Sequence, residues 1–189
     1  MTSDGSRKFL SDLAIGDQVL TVNNRGQLEF SPVILFLDRD PKEHRQFYNV
    51  LTQSGHSLTL TASHLIYAAE FEADQFEAIY AKDIREGDFI LVHNGRGQLE
   101  PTKVIDIEMR ALTGVYAPLT SAGNLVVDNV VASCYAVVDS QSVAHAAFAP
   151  IRWWSDFVDY STETKGIHWY AEALYNVAEY VMPAHLERP

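Results

Sequence analysis

Thr61 and His64 place a hydroxyl and an imidazole three positions apart, directly after the run Leu58-Thr-Leu-Thr61. Leu58 and Leu60 alternate with threonines, the period-two pattern of a half-buried strand. Residues 65–68, Leu-Ile-Tyr-Ala, anchor the far side of the pair. A hydroxyl and a titratable ring held at a strand end could polarise a carbonyl or help a leaving group depart. The plainer alternative is a threonine ending a strand and a histidine in a turn, each satisfied by backbone. Two further residues stand out by type. Asp38 follows the apolar run 33–37, where it reads as a turn carboxylate near Arg39. Cys134 is the single cysteine and reads as a small buried apolar side chain.

Other chemistries find little support. No two of the seven histidines stand three or four residues apart, and none has a Cys or Glu partner at zinc-site spacing, so no metal site is expected. With one cysteine there is no intramolecular disulfide. Gly-x-Ser-x-Gly and phosphate-cradling glycine loops are absent. The net charge of -11 argues against nucleic acid and against attraction to anionic lipid, which need clustered Lys and Arg. The first residues carry no apolar signal segment, and no apolar run reaches the length of a membrane span. A 47% hydrophobic and 21% charged composition over 189 residues is that of a folded chain with one sizeable core.

The elements that must position these side chains are announced by a repeat. Asp12-Leu-Ala-Ile-Gly-Asp-Gln-Val-Leu20 returns as Asp83-Ile-Arg-Glu-Gly-Asp-Phe-Ile-Leu91, and Arg-Gly-Gln-Leu-Glu occurs at 25–29 and at 96–100, both at an offset of 71. Each copy reads as a Gly/Asp turn, an apolar strand, a glycine turn suited to positive φ, and another strand. Short strands are expected at 33–37, where Pro41 stops continuation, and at 47–52, 58–67, 103–110, 115–119, 124–131 and 133–138. The chain to residue 138 is therefore all-β, a sandwich or barrel of two pseudo-symmetric β-subdomains. The pattern then changes. Residues 140–148 suit a short helix, Trp153, Trp154, Phe157 and Tyr160 approach one helical face, and 166–182 carries an amphipathic stripe of about four turns. We divide the chain at 1–140 and 141–189. The aromatic tail either docks on the core or meets an uncharged greasy ligand or a membrane surface.

In order along the chain come Leu-Ala-Ile-Gly-Asp-Gln-Val-Leu, Val-Ile-Leu-Phe-Leu-Asp-Arg-Asp, Leu-Thr-Leu-Thr-Ala-Ser-His-Leu, Val-Tyr-Ala-Pro-Leu-Thr, Val-Ala-Ser-Cys-Tyr-Ala-Val and Ala-His-Ala-Ala-Phe-Ala-Pro. This series resembles the C-terminal autoprocessing domain of the Hedgehog proteins, and the tail Gly-Ile-His-Trp-Tyr resembles vertebrate-type members. The resemblance implies a Hint fold, shared with inteins: an all-β disc of two pseudo-symmetric subdomains, here with a short helical appendage. It also implies a reaction. A cysteine at the first position of the domain converts the preceding amide to a thioester, and the hydroxyl of cholesterol displaces it, releasing an upstream signalling domain as a cholesteryl ester. On this resemblance His64 assists the amide nitrogen, Thr61 bonds the scissile backbone, Asp38 activates the sterol hydroxyl and Cys134 faces the site. Trp153, Trp154, Phe157, Trp169 and Tyr170 belong to a sterol-recognition region. No cofactor is implied beyond cholesterol as co-substrate. The partners are the signalling domain in cis and, through the tail, a membrane surface, and the precursor travels the secretory pathway.

The sequence departs from the family pattern at one place: the nucleophilic cysteine expected in Cys-Phe at the domain start is missing. Cys134 lies on another strand with no scissile peptide before it. The expectation is of a chain lacking its first strand, unable to process itself and exposing an unpaired edge. A non-catalytic relic or a sterol-binding module is the alternative.

Overall fold

The computed structural model describes residues 1–72, 74–136, 149 and 166–167. Ten strands occur among the described residues: β1 Gln18–Val22, β2 Leu28–Thr52, β3 Ser57–Thr61, β4 His64–Ala69, β5 Glu77–Tyr80, β6 Phe89–His93, β7 Leu99–Thr120, β8 Asn124–Val127, β9 Val130–Ala136 and β10 Gly166–Ile167. The expected all-β architecture is what forms.

The repeat is visible in the elements. The 3₁₀ turns Leu10–Asp12 and Ala81–Asp83, the strands β1 and β6, and the starts of β2 and β7 all stand 71 residues apart. Past the long strands the offset becomes 68: Leu51-Thr-x-x-Gly55 and Tyr67-Ala68 match Leu119-Thr-x-x-Gly123 and Tyr135-Ala136. The paired threonines do the same work, Thr52 Oγ1 donating to the His56 carbonyl at 2.8 Å and Thr120 Oγ1 to that of Asn124 at 2.7 Å.

Leu13, Val19, Val33 and Phe36 form a small core within the first copy, and the rest of the core is shared between the copies. One cluster packs Val50, Leu58, Leu60 and Ile66 from β2, β3 and β4 against Ile84, Ile90, Val92 and Val104 from the second copy. Another joins Leu20 of β1 to Val126 and Val131 of β8 and β9. Ile34, Leu35, Leu65, Leu119, Cys134 and Tyr135 fill the seam between the copies. The long strands make the exchange: β2 and β7 pair antiparallel along most of their length, each joining one copy to the other.

Strands run in the order β1-β2-β7-β6-β4-β9-β8, and the two ends of this path meet. The Asn124 amide on β8 donates to the Val22 carbonyl on β1 and accepts from its N–H, each at 2.8 Å. A side-chain amide thus imitates one backbone pair and closes the sheet on itself.

Several expectations are corrected. The separate strands expected at 33–37 and 47–52 are one 25-residue strand, and those at 103–110 and 115–119 are one of 22. Pro41 does not end β2, because an irregularity absorbs it: between Asp40 and His44, β2 advances four residues while β7 advances from Val115 to Thr113. The strand expected at 58–67 is two, β3 and β4, parted by a turn at 62–63, and His64 opens the second. The β1 edge is not bare, since Leu20 N–H donates to the Met1 carbonyl and Ser3 N–H to that of Gln18, both at 3.0 Å. Gly166 and Ile167, expected to open the amphipathic helix, are extended and pair with Arg39 and Asp38. There they add to the β2 edge that lies between the stretches occupied by β1 and β3. Apart from Ala149, which is helical, the rest of the helical appendage, with the boundary at 140/141, lies outside the described residues. No helix among the described residues is long and apolar enough to cross a membrane.

Candidate functional site

Thr61 and His64 flank the tight turn between β3 and β4. The turn is held from the second copy, where Lys82 N–H donates to the Ala62 carbonyl at 3.1 Å. The ring of His64 points across to β9. Between the pairs His64↔Ala136 and Ile66↔Ala132, β9 has three residues, Ser133, Cys134 and Tyr135, against Leu65 alone on β4. In this bulged stretch the Ser133 carbonyl lies 2.8 Å from His64 Nε2. A carbonyl only accepts, so Nε2 carries the proton and Nδ1 keeps the lone pair of the neutral ring. His64 as a residue is half-buried. Desolvation nevertheless dominates its titration and lowers its pKa, with the Ser133 carbonyl opposing.

Cys134 is 2% exposed and packs in the seam between the copies. Its N–H donates to the Gly123 carbonyl at 3.0 Å, and its sulfur lies 3.6 Å from Thr120 Oγ1. Burial pushes the thiol up to about 11, and the Thr120 contacts only partly oppose this. Such a thiol is an inert packing group at neutral pH. The phenol of Tyr67 is likewise pushed up by burial, with Cys134 adding to the effect.

Asp38 owes its burial to another bulge. Phe36 faces Pro118 and Asp38 faces Ala117, so Leu37 is an extra residue on β2. One inserted residue exchanges the faces that the following side chains use. The carboxyl is raised above the ordinary aspartate range, first by desolvation, and Arg45 acts against this as its salt-bridge partner at 3.3 Å. Arg39 is not that partner. Its guanidinium covers the Phe36 ring at 4.4 Å from the centroid and donates to the Ser11 carbonyl at 3.0 Å.

The structure therefore brings Thr61, His64 and the Cys134 segment together around one turn and one bulge. Asp38 belongs to the neighbouring layer, connected through Leu37, which packs against the cluster that contains Cys134. Sequence reading missed Ser133 and Arg45, whose partners are remote or masked by a strand irregularity. The tail aromatics Trp153, Trp154, Phe157, Trp169 and Tyr170 lie outside the described residues. Among the described residues no three His, Cys, Asp or Glu side chains cluster as metal ligands.

The family model of the Hint module matches residues 1–183. This chain belongs to the Hint family. Solved structures agree on the fold: a DnaB intein from Synechocystis sp. superposes with a TM-score of 0.57 at 15% identity, covering 69% of this chain and 89% of the intein. An intein from a hyperthermophile gives 0.51 at 17%, covering 62% and 71%. Within the Hint family the likeness is to hedgehog proteins. Protein hedgehog of Drosophila virilis is 41% identical over 203 residues, 97% of this chain and 42% of that protein. Protein hedgehog of Drosophila melanogaster is 38% identical over 200 residues, again 97% and 42%. The chain spans less than half the length of these relatives. The expected Hedgehog-type Hint module is thus what the comparisons find.

Proposed function

We propose that this chain is the autoprocessing domain of a hedgehog-type precursor, cleaving the peptide before the domain through a thioester and passing the upstream part to cholesterol. The observation that carries this reading is the seating of His64: Nε2–H is committed to Ser133, which leaves Nδ1 as the basic nitrogen of a half-buried site.

The proton inventory follows from that tautomer. Sulfur of a cysteine at the junction attacks the preceding carbonyl carbon, and Nδ1 takes the thiol proton. The carbon–nitrogen bond breaks as Nδ1 returns that proton to the departing amine. A ring whose pKa is lowered by desolvation gives its proton up readily, which is what an amine leaving group needs. General acid–base help of this type contributes typically ~10²–10⁴-fold. In this reading Thr61, across the turn, bonds the scissile backbone. Cys134 is unsuited to be the nucleophile, because its thiolate is disfavoured by burial.

In the second step Asp38 takes the proton of the sterol hydroxyl, the alcohol oxygen attacks the thioester carbon and the cysteine leaves as thiolate. A carboxylate raised by burial is a stronger base than an exposed one, which suits a weakly acidic alcohol. The pairing of β10 with Asp38 supports a role for the C-terminal region, since it draws the stretch just before Trp169 and Tyr170 to the acid. The partners in this reading are the upstream signalling domain in cis, cholesterol, and a membrane surface met by the tail, within the secretory pathway. No bound cofactor enters.

The test joins a reporter domain to this chain through a Gly-Cys-Phe junction. His64→Ala abolishes cleavage both by added thiol and by cholesterol. Asp38→Ala leaves thiol cleavage and abolishes sterol-dependent release. Loss of both reactions in Asp38→Ala would refute the division of roles.

A further inference from the structure

Asp38 and Arg45 are seven residues apart on one strand, which in a regular strand means about 23 Å. Their side chains nevertheless meet at 3.3 Å. The irregularity between Asp40 and His44 makes this possible by looping Pro41, Lys42 and Glu43 out of register with β7. The surroundings hold that loop in place. Lys42 N–H donates to Asp40 Oδ1 at 2.8 Å, and Thr113 Oγ1 lies 2.8 Å from His44 Nδ1. Gly114, at φ +98, lies opposite, where an added Cβ would meet the Tyr116 ring at 3.0 Å. The guanidinium is itself oriented, with Nε donating to Glu43 Oε1 at 2.7 Å. Both members are largely shielded, with side-chain exposures of 24% for Arg45 and 12% for Asp38.

We infer that Arg45 is a positioning residue for the acid at Asp38, a clamp built by the β2 irregularity that fixes the carboxylate's direction and keeps it charged inside the fold. The inference rests on the proposed role of Asp38 in sterol transfer. A buried charge without its partner is strongly disfavoured, so an acid shielded this far needs a cation to serve as a base at neutral pH. Among the described residues the other groups that face it are few. On β2, Asp40 and Glu43 repel the carboxylate. From β7, the residues paired with 38–40 are Ala117, Tyr116 and Val115, with a phenol as their single titratable group. The β10 partners Gly166 and Ile167 bring none. Arg45 is thus the cation acting against burial and two carboxylates.

The experiment follows the Asp38 carboxyl carbon by NMR across pH in this chain, alongside both cleavage reactions in the reporter fusion. Arg45→Met raises the Asp38 midpoint by about one unit, the low end for loss of an adjacent arginine, since the pair keeps some solvent. Arg45→Lys recovers most of that shift. In the fusion, Arg45→Met reduces sterol-dependent release most at the lowest pH assayed, by at most about tenfold, and less as pH rises, while thiol cleavage stays within about twofold, as one unit of midpoint allows. An unmoved midpoint in folded Arg45→Met, or equal loss of both reactions at every pH, overturns the clamp. A moved midpoint with unchanged sterol release upholds the ion pair and overturns the assignment of Asp38 to the alcohol. Should Arg45→Met not fold, Arg45→Gln decides by the same readout: it raises the Asp38 midpoint, and an unchanged midpoint overturns the inference.

Discussion

His64 begins β4 in the first copy of the repeat, and its Nε2 is held 2.8 Å from the carbonyl of Ser133 on β9 in the second. The two residues are 69 apart in the chain, and no local pattern connects them.

This contact sets a pH dependence. The His64 pKa is lowered in the folded state, so between that value and about 6.5 the unfolded chain binds the extra proton. Stability therefore falls as pH drops through this window, by up to ~1.4 kcal/mol per unit. His64→Gln, which still offers an N–H to Ser133, removes that part of the slope. Urea unfolding of both proteins at pH 7, 6 and 5 measures it, and equal slopes would contradict the assignment.

Cys134 is protected twice, by enclosure and by a pKa pushed up to about 11. At pH 8 its thiolate fraction is on the order of 10⁻³. A chromogenic disulfide reagent should leave the native chain unmodified over minutes and titrate one thiol per chain in denaturant. Rapid native labelling would show that the segment around Ser133 opens.

The amide of Asn124 closes the sheet, so its loss leaves the Val22 N–H and carbonyl without partners. Asn124→Ala should cost about 2–4 kcal/mol, or roughly 4–16 °C in Tm. Asn124→Asp keeps the acceptor and loses the donor, and should not recover the full stability. Calorimetry reads both.

Gly114 combines φ +98 with an obstructed Cβ direction, whereas Gly55, at φ +82, has open space there. Gly114→Ala should lower stability by about 1–3 kcal/mol, the cost of a strained backbone. Gly55→Ala should cost less, because only the backbone term applies. If the two are equal, Tyr116 moves aside freely.

Ile167→Pro removes the backbone donor of β10, which pairs with Asp38. In the reporter fusion, sterol-dependent release should fall at least fivefold, with thiol cleavage unchanged. A change in thiol cleavage alone would exclude β10 from the sterol step.

Much of the architecture was legible because hairpins are local. Asn23, Gly26, Asn94 and Gly97 mark turns within a few residues, and the 71-residue offset announced the duplication. The long strands were not legible. Pro41 with its charged neighbours has the composition of a strand end, and a tertiary partner strand is what lets β2 carry it as an irregularity. Thr61 and His64 could be singled out by type. Their acceptor could not, since a backbone carbonyl has no residue signature. Arg45 was hidden for a geometric reason: regular strand spacing places it far from Asp38, and Arg39 is the nearer arginine in sequence. Duplication offers one further signal. At the same repeat offsets, Asp38 corresponds to Met109 and His64 to Ala132, so both groups stand where the repeat is broken.

The exchange of strands between the copies also governs timing. During synthesis the imidazole emerges 69 residues before the carbonyl that orients it, and the cores around it need strands from the second copy. Pairings this distant form late in folding. A ribosome must therefore deliver the chain through β9 before His64 is held in this tautomer. In the proposed reaction, cleavage therefore waits until β9 has been made, and the fold times the chemistry to its own assembly.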